Sequence, residues 1–269
     1  MGRTDSSIVS NVLGGSKAKF GIPVDDLKHA ISEARDFGCK RFGLHAMTGS
    51  NILDEHYFVQ LLRELSNIAS LIDVSFDSIN LGGGLGIPYN PNESAIDLDK
   101  LCSALYREFQ TCFQGKDRPR LVMENGRFVT GPAGYLFTKV QVIKYAFERK
   151  FVGVNACMSN LMRPGIYQAF HKIENVSSKD NDESTEIVSV VGNLCENNDW
   201  FATDRELRPC KVGDVIVIKD VGAHGHSMGF QYNGKLRSAE YIFIKNSDQG
   251  AMRKIRRRET FDDYIATVI

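Results

Sequence analysis

The hydrophobic pattern of the chain changes near residue 145, and this change constrains the fold more than any other feature. Before it, helix-type patterns alternate with short apolar runs, the helices at 24–37, 54–72 and 96–113 and the runs at 41–47, 75–81 and 121–123. This alternation predicts a parallel sheet with crossover helices. From residue 135 on, period-2 alternation predicts antiparallel strands at 135–147, 187–192, 215–219 and 240–244. We therefore expect an α/β domain over 1–145 and a β domain over 146–269.

The length of the first part limits how many strand–helix units it can hold. A complete eight-fold βα barrel takes about 250 residues, or roughly 31 per unit. The first part then provides for about four or five units, which fits an open sheet or part of a barrel. In the second part, residues 174–186 are polar throughout and predict a surface loop.

Charge and composition disfavour several classes of protein. The 33 basic and 33 acidic side chains cancel, so no global field would attract nucleic acid or an acidic membrane. No apolar run reaches the roughly 18 residues of a membrane span, and no signal peptide is recognisable. The six cysteines form no Cys-x-x-Cys pair, which favours reduced thiols in the cytoplasm over disulfides or zinc. The basic run 253–258 precedes acidic residues and is interpreted as solvated or paired.

Four glycines directly follow the second predicted strand: Gly82, Gly83, Gly84 and Gly86. Glycine lets backbone N–H groups approach an anion, and ligands bind at the carboxyl ends of parallel strands. A single glycine would indicate only a tight turn with positive φ. Four in five positions favour a phosphate-binding loop. No Gly-Lys-Ser/Thr follows, and Pro88 disfavours the helix that a dinucleotide fingerprint needs.

A second motif, Glu124-Asn125-Gly126-Arg127, follows the third predicted strand. A carboxylate at a strand end can pair with a protonated ring nitrogen. An arginine three residues later can hold a phosphate or carboxylate through two hydrogen bonds. The same spacing also fits a local Glu–Arg pair at the surface.

Two motifs of the second part allow both a functional and a structural interpretation. Cys195 and Glu196 are adjacent, either as a reactive pair or as a small buried thiol beside an exposed acid. Arg163 and Tyr167 would share one face of a helical turn that begins at Pro164. Arg163 could then hold an anionic substrate group or lie at the surface.

The segment 222–234 contains two histidines and a turn signal. His224 and His226 lack a third ligand at suitable spacing, which argues against zinc. Asn233-Gly234 is a hairpin turn signal and would set Tyr232 at a strand end.

In this order, the motifs resemble those of the fold-type III pyridoxal-phosphate-dependent decarboxylases, and most closely the branch that acts on diaminopimelate. The resemblance extends over nearly the whole chain, in SKAKFGIP (16–23), FGLHAMTGSNI (42–52), INLGGGLGIPY (79–89), ENGRFVTGPAGYL (124–136), CMSNLMRPGIYQAFH (157–171), GNLCENNDW (192–200), GAHGHSMGFQYNGKLRSAE (222–240) and IRRRETFDDYIAT (255–267). It implies the C-terminal part of an alanine racemase-like (β/α)₈ TIM-type barrel, followed by a C-terminal antiparallel β domain.

The resemblance also implies pyridoxal 5'-phosphate as cofactor and gives roles to individual residues. The glycine loop would bind the phosphate, and Glu124 would contact the pyridine nitrogen and keep the ring protonated as an electron sink. Cys195 and Glu196 match the catalytic pair that the family donates into the partner's site. Further cofactor-binding candidates are His45, Ser50, Gly126, Arg127 and Tyr232. The substrate-binding candidates are Arg127, Arg163, Tyr167, Glu196 and Tyr232.

The sequence departs from the family pattern at three places. Met47 stands where the family has a histidine stacked on the cofactor ring, so either Met47 or His45, which shares its strand face, would face the ring. Asn125 replaces a proline and still suits a turn. The motif with the family's cofactor lysine is absent from the sequence, and without that lysine the cofactor has no covalent tether. We therefore expect an N-terminally shortened chain that is weakly active or inactive alone.

The activity implied by the resemblance is conversion of meso-2,6-diaminopimelate to L-lysine and CO₂, the last step of lysine biosynthesis, by a cytoplasmic homodimer with shared active sites. Glu196, rather than aspartate, favours diaminopimelate over ornithine. Three alternatives remain: a relative acting on ornithine, arginine or carboxynorspermidine; a non-catalytic paralogue that binds and regulates a full-length partner; and a split enzyme completed by a second chain.

Overall fold

The computed structural model describes Gly15 and residues 18–115, 118–178, 184–245 and 250–269. The chain divides into two compact units, Met1–Gly131 and Pro132–Ile269, and each has its own hydrophobic core. The second unit begins with the strand Tyr135–Ala146, and the domain boundary expected at residue 145 lies at the far end of that strand.

Three parallel strands form the sheet of the first unit, in the order β1 (Gly43–His45), β2 (Ser78–Asn80) and β3 (Arg120–Val122). A 3-10 turn, Val24–Asp26, leads into the first of the long helices α1 (Leu27–Asp36), α2 (Glu55–Ser70) and α3 (Leu98–Cys112). Helices α2 and α3 connect successive strands, so the predicted βα alternation is confirmed. The expected four or five units are wrong for the described residues, which form three strands, because long segments separate β1 from α2 and β2 from α3.

Apolar spacing and end caps explain the two crossover helices. In α2, Phe58, Leu61, Leu62 and Leu65 recur every three to four residues and are buried. The Asp54 side chain caps this helix by accepting a hydrogen bond from the His56 N–H group at 2.9 Å. In α3, Asp97 accepts from the Lys100 N–H group at 3.0 Å. Such aspartate caps contribute about 1 kcal/mol each and fix where the loops after β1 and β2 end.

The second unit is built on a six-stranded sheet in the order β6-β9-β4-β5-β7-β8. Its strands are β4 (Tyr135–Ala146), β5 (Arg149–Val154), β6 (Ile173–Asn175), β7 (Glu186–Val191), β8 (Trp200–Leu207) and β9 (Val215–Lys219). A separate hairpin pairs β10 (Glu240–Lys245) with β11 (Gly250–Arg256). Neighbouring strands are antiparallel, as predicted, except for β5 and β7. A crossover connection separates these two strands, as a parallel pair requires.

Three short helices complete the described structure: α4 (Gly126–Thr130), α5 (Arg163–Tyr167) and α6 (Phe261–Tyr264). 3-10 turns occur at Gly131–Ala133, His226–Met228 and Tyr232–Gly234. Across the described ranges, no helix combines the length and the apolar character needed to cross a membrane.

The outer bounds of the predicted loop 174–186 and the strand-end position predicted for Tyr232 are wrong. Within the predicted loop 174–186, β6 extends to Asn175 and pairs with β9, and β7 begins at Glu186; residues 179–183 of that loop lie outside the described residues. Asn233 and Gly234 adopt positive φ values of 57° and 66°, yet Tyr232 lies in a 3-10 turn and not at a strand end. The backbone before this turn bonds elsewhere, since the Phe230 N–H group donates to the Ser159 carbonyl.

Candidate active site

Glu124 lies at the carboxyl edge of the parallel sheet, where side chains from all three strand ends meet. The Asn80 amide at the end of β2 donates a hydrogen bond to Glu124 Oε1 at 2.7 Å. His45 Nε2, at the end of β1, lies 4.0 Å from Glu124 Oε2. The side chains of His45 and Glu124 are 49% and 55% exposed. One carboxylate oxygen is thus held by protein, while the other remains accessible beside an imidazole.

The glycine loop packs so tightly against its neighbours that side chains do not fit. A Cβ atom on Gly83 would lie 2.6 Å from the Glu124 carbonyl oxygen, and one on Gly84 would lie 2.6 Å from the Gly49 carbonyl oxygen. Gly82 and Gly84 also have φ values of 66° and 100°. A turn with positive φ therefore explains the glycines at positions 82 and 84. At Gly83, the close approach of the Glu124 backbone explains the glycine.

The fourth glycine, Gly86, faces the segment after β1. A Cβ atom there would lie 2.7 Å from the Asn51 carbonyl carbon. The Gly86 N–H group donates to the Ile52 carbonyl at 2.9 Å, and the Ile87 N–H group donates to Asn51 Oδ1 at 3.0 Å. Hydrogen bonds within the protein therefore fix this end of the loop.

The N–H groups of Gly83 and Gly84, in the middle of the loop, differ from those on either side. The Gly82 N–H group donates to Asn80 Oδ1 at 2.9 Å, and the Leu85 N–H group donates to Asn125 Oδ1 at 3.3 Å. Within the described part of the chain, no protein group accepts a hydrogen bond from the N–H of Gly83 or Gly84. Buried backbone donors nearly always have partners, so these two can serve an anion.

Arg127 is held beside this loop by two hydroxyl groups. Its guanidinium donates to Tyr89 Oη at 2.9 Å and to Ser50 Oγ at 3.0 Å. No carboxylate in the described ranges pairs with it, so the alternative of a local pair with Glu124 is wrong. A Cβ atom on Gly126, just before it, would meet nothing within 4 Å, which leaves open space at this position.

Both residues considered for the ring face border the glycine loop. A Cβ atom on Gly82 would lie 2.7 Å from Met47 Cβ and 3.1 Å from His45 Nε2. Met47 is 39% exposed. The loop is therefore flanked by an imidazole and a thioether.

In the second unit, Arg163 is buried, which excludes the surface alternative. It is 7% exposed, and its Nη1 donates to His171 Nε2 at 2.7 Å. The His171 ring is fully buried and contacts the Lys219 carbonyl through Nδ1 at 2.8 Å. A carbonyl oxygen can only accept and a guanidinium can only donate, so Nδ1 donates to Lys219 and Nε2 accepts from Arg163. The predicted helical turn is confirmed as α5, and Tyr167 lies half-buried at its end.

The segment after β7 places Cys195 in solvent and Glu196 partly below the surface. The alternative of a buried thiol beside an exposed acid is therefore wrong. Glu196 is involved in closing this loop: its Oε1 accepts from the Asn198 N–H group at 3.2 Å, and its carbonyl accepts from the Asp199 N–H group at 3.1 Å.

The remaining candidates lie in the segment before β10. Tyr232 is 51% exposed. His226 accepts from Arg237 through Nδ1 at 2.9 Å, and its Nε2 is buried without a hydrogen bond. Burial lowers the pKa of this ring. Among the residues that the structure describes, no three potential ligands cluster around a metal position.

The basic run 253–258 is in part paired with acidic side chains, as expected. Arg256 binds Glu240, and Arg257 binds Asp263. The Arg257 guanidinium and the Thr260 cap hold the pKa of Asp263 well below its usual range.

Three residues that hold candidate side chains were not identified from the sequence: Asn80, Tyr89 and Asp199. Asn80 and Glu124 are 44 positions apart, and Tyr89 and Arg127 are 38 apart. The sequence contains only weak signals for two of them. Asn80 is a polar residue at the end of an apolar strand, and Tyr89 is an aromatic residue at the end of the glycine segment.

Comparison with known proteins gives concordant matches. A family model described as pyridoxal-dependent decarboxylase, C-terminal sheet domain, matches residues 23–222. The chain is 40% identical over 263 residues to Protein TabA of Pseudomonas amygdali pv. tabaci, across 96% of this chain and 61% of that protein. It is 38% identical over 260 residues to diaminopimelate decarboxylase of Methanothermobacter thermautotrophicus, across 94% and 59%.

The fold comparison agrees with these matches. The crystal structure of diaminopimelate decarboxylase from M. jannaschii in complex with L-lysine has a TM-score of 0.81 and 33% identity, across 94% of this chain and 58% of that one. The expected fold class is thereby confirmed. The chain spans about three-fifths of the length of these relatives.

Proposed function

This chain belongs to the pyridoxal-dependent decarboxylases, and from that premise we propose that it serves the decarboxylation of meso-2,6-diaminopimelate to L-lysine and CO₂. Relatives named diaminopimelate decarboxylase match along 94% of the chain, and one of the similar crystal structures contains L-lysine. The observation that carries the proposal is local. Glu124, fixed by Asn80, lies beside a loop with two N–H groups available for an anion.

The residues at the strand ends fit pyridoxal 5'-phosphate. The N–H groups of Gly83 and Gly84 suit its phosphate, with Ser50, Gly86, Gly126 and Arg127 around them. Glu124 suits the pyridine nitrogen. His45 and Met47 border the loop and suit a ring face. When bound, the cofactor supplies an electron sink for the bond to the departing carboxylate.

The task of Glu124 is to keep a proton on the ring nitrogen. Because Asn80 donates to one carboxylate oxygen, the other is left to accept a hydrogen bond from that nitrogen. An ionised carboxylate stabilises a protonated partner. In the second unit, we propose that Arg163, Tyr167, Glu196 and Tyr232 contact the substrate, where Arg163 would bind a carboxylate.

The cofactor proposal is tested by equilibrium dialysis with pyridoxine 5'-phosphate, which has no aldehyde and cannot bond to lysines. Gly83→Ala fills the space beside the Glu124 carbonyl, so it should weaken binding of this probe and of inorganic phosphate at least ten-fold. Glu124→Gln should weaken binding of the probe and leave phosphate binding unchanged. Glu33→Gln on the exposed face of α1 is the matched control. Unchanged affinity for the probe in both site variants would contradict the proposal.

The absence of the family lysine motif from this sequence gives a second expectation. After loading with pyridoxal 5'-phosphate and reduction with borohydride, peptide mapping of this chain should find no stoichiometric lysine adduct. A single fully modified lysine in an active sample would show that another lysine of this chain holds the cofactor.

We further propose a homodimer in the cytoplasm, in which Cys195 and Glu196 of one copy act in the other copy's site. The exposure of Cys195 supports this, since the thiol is available to a second chain, and six free cysteines suit a reducing compartment. In active protein, mixing Glu124→Ala with Cys195→Ala chains should restore part of the activity that each has lost. Glu196→Asp should shift preference from diaminopimelate towards ornithine. No restoration in the mixture would argue against shared sites.

A further inference from the structure

Asp199 lies beneath the loop that carries Cys195 and Glu196, and its carboxylate joins that loop to a second segment. The side chain is 4% exposed. Its Oδ2 accepts from the Leu194 N–H group at 2.8 Å, and its Oδ1 accepts from the Met158 N–H group at 2.6 Å. One buried carboxylate therefore fixes the 192–199 loop to the turn at 157–160.

Close contacts surround this carboxylate and the segments that it joins. A Cβ atom on Gly192 would lie 2.2 Å from Asp199 Oδ2. A Cβ atom on Gly165, in the middle of α5, would lie 2.4 Å from the Asn198 carbonyl oxygen and 2.7 Å from Met158 Sδ. Helix α5, which carries Arg163 and Tyr167, thus packs directly on both segments that Asp199 joins.

The same turn also reaches the segment that carries Tyr232. The Ser159 carbonyl accepts from the Phe230 N–H group at 3.4 Å. All four substrate candidates of the second unit are therefore attached, directly or through one contact, to the segments that Asp199 joins.

We propose that Asp199 is a positioning residue, which holds the Cys195–Glu196 pair and helix α5 in their working arrangement without contacting substrate. The proposal rests on the proposed function in so far as these residues meet substrate. Burial raises the pKa of Asp199, while the N–H groups of Leu194 and Met158 counteract that rise. An aspartate has the geometry for this task because its two oxygens can accept from two different segments at once.

Hydrogen–deuterium exchange on the whole chain tests the inference without requiring activity. Asp199→Asn keeps the shape but replaces one acceptor oxygen by a donor, so one of the two bonds must be lost. We expect at least ten-fold faster exchange at whichever of the Leu194 and Met158 amides loses its acceptor, with peptides of β4 and β5 unchanged. Gly192→Ala, which displaces the carboxylate without removing it, should give the same local pattern.

Asp214 provides the matched control, because it is also buried, at 5% exposed, in the same unit. It accepts from Asn175 Nδ2 and from the Lys211 N–H group and contacts neither candidate loop. Asp214→Asn should therefore leave exchange in the Leu194 and Met158 peptides unchanged. Unchanged exchange at both amides in Asp199→Asn and Gly192→Ala would overturn the proposal. Uniformly faster exchange across the second unit would overturn it too, since Asp199 would then serve only stability.

A functional measurement separates this inference from the proposed function. In active protein, Asp199→Asn should lower kcat/KM for diaminopimelate at least ten-fold and leave the affinity for pyridoxine 5'-phosphate unchanged. If Cys195→Ala and Glu196→Gln retain full activity, the proposed roles fail while the exchange result stands. If those variants are inactive but Asp199→Asn retains full kcat/KM, the positioning role fails.

Discussion

Cys210 is a buried thiol whose surroundings suppress its ionisation. Burial, reinforced by the negative charge of Glu186, raises the pKa of Cys210 to about 11. At pH 8 this thiol is almost fully protonated, and the thiolate is the reactive form. We expect iodoacetamide to modify Cys210 at least about 100-fold more slowly than Cys195. Peptide mapping over time would measure this, and equal rates after unfolding in urea would confirm that the fold is the cause.

Gly84 allows a second test at the scale of one residue, because the chain contains a matched glycine. Gly84 and Gly115 have nearly the same φ value, 100° and 99°. A Cβ atom on Gly84 would lie 2.6 Å from the Gly49 carbonyl oxygen, whereas one on Gly115 would meet nothing within 4 Å. Gly115→Ala should therefore cost only the conformational strain, roughly 1–2 kcal/mol.

Gly84→Ala adds a steric clash to the same strain. Forcing extra atoms into a packed site costs typically about 1–3 kcal/mol more. The difference between the two free energies of unfolding, measured in urea, isolates the packing around the loop. Equal values would mean that the Gly49 segment moves aside easily, and that the loop is less rigid than its contacts indicate.

At the scale of elements, strands β5 and β7 are joined by an ion pair that is largely shielded from water. Lys150 Nζ lies 2.6 Å from Glu186 Oε1, and the lysine side chain is 12% exposed. The same ammonium donates to the Cys210 carbonyl at 3.2 Å. Lys150→Met would remove the donor to the Cys210 carbonyl and leave Glu186 Oε1 with only the Cys210 N–H group as donor. It should destabilise the second unit by about 1–3 kcal/mol. Lys144→Met on the exposed part of β4 is the control and should change stability by less than about 0.5 kcal/mol.

The pH dependence of this contact follows from the lysine. Burial alone would lower the pKa of Lys150, but the hydrogen bond and charge of Glu186 raise it above the ordinary value of 10.5. The lysine therefore contributes its full stabilisation below pH 10.5, and this is lost as the pH rises through the folded-state pKa. Chemical denaturation between pH 9 and 12 should show wild type and Lys150→Met converging. A constant difference would exclude the ion pair as the source.

Element-level prediction succeeded where periodicity is strong and failed where tertiary contacts decide. The buried stripe of α2 and the alternation in β4 are visible in the sequence. Strand β8 is an edge strand, and its polar run Asp204–Glu206 hides its alternation. The candidate site divides in the same way. The glycine loop, Glu124 and Arg127 carry local signals, whereas Asn80 and Asp199 acquire their roles through contacts with residues 41 to 44 positions away.

For the whole molecule, the balance of charge makes a prediction about association. The 33 basic and 33 acidic side chains give an isoelectric point near 7.0, so electrostatic repulsion between copies is weakest near neutral pH. On β4, the aromatic side chains of Tyr135 and Phe137 are 54% and 64% exposed. Near neutral pH, little electrostatic repulsion opposes contact between these side chains and another copy. Light scattering at low ionic strength should therefore show the strongest non-specific association near pH 7, with less at pH 5 and 9.

A charge variant tests whether the isoelectric point sets this maximum. Replacing two exposed lysines in the double variant Lys28→Glu, Lys40→Glu changes the net charge by −4, since each substitution removes one positive charge and adds one negative charge. The pH of strongest association should then move below 7, because more carboxylates must be protonated before the net charge reaches zero. The proposed homodimer should respond differently, since its formation would depend on a defined interface and on protein concentration. If the maximum stays at pH 7 in the double variant, apolar contact rather than charge balance governs association.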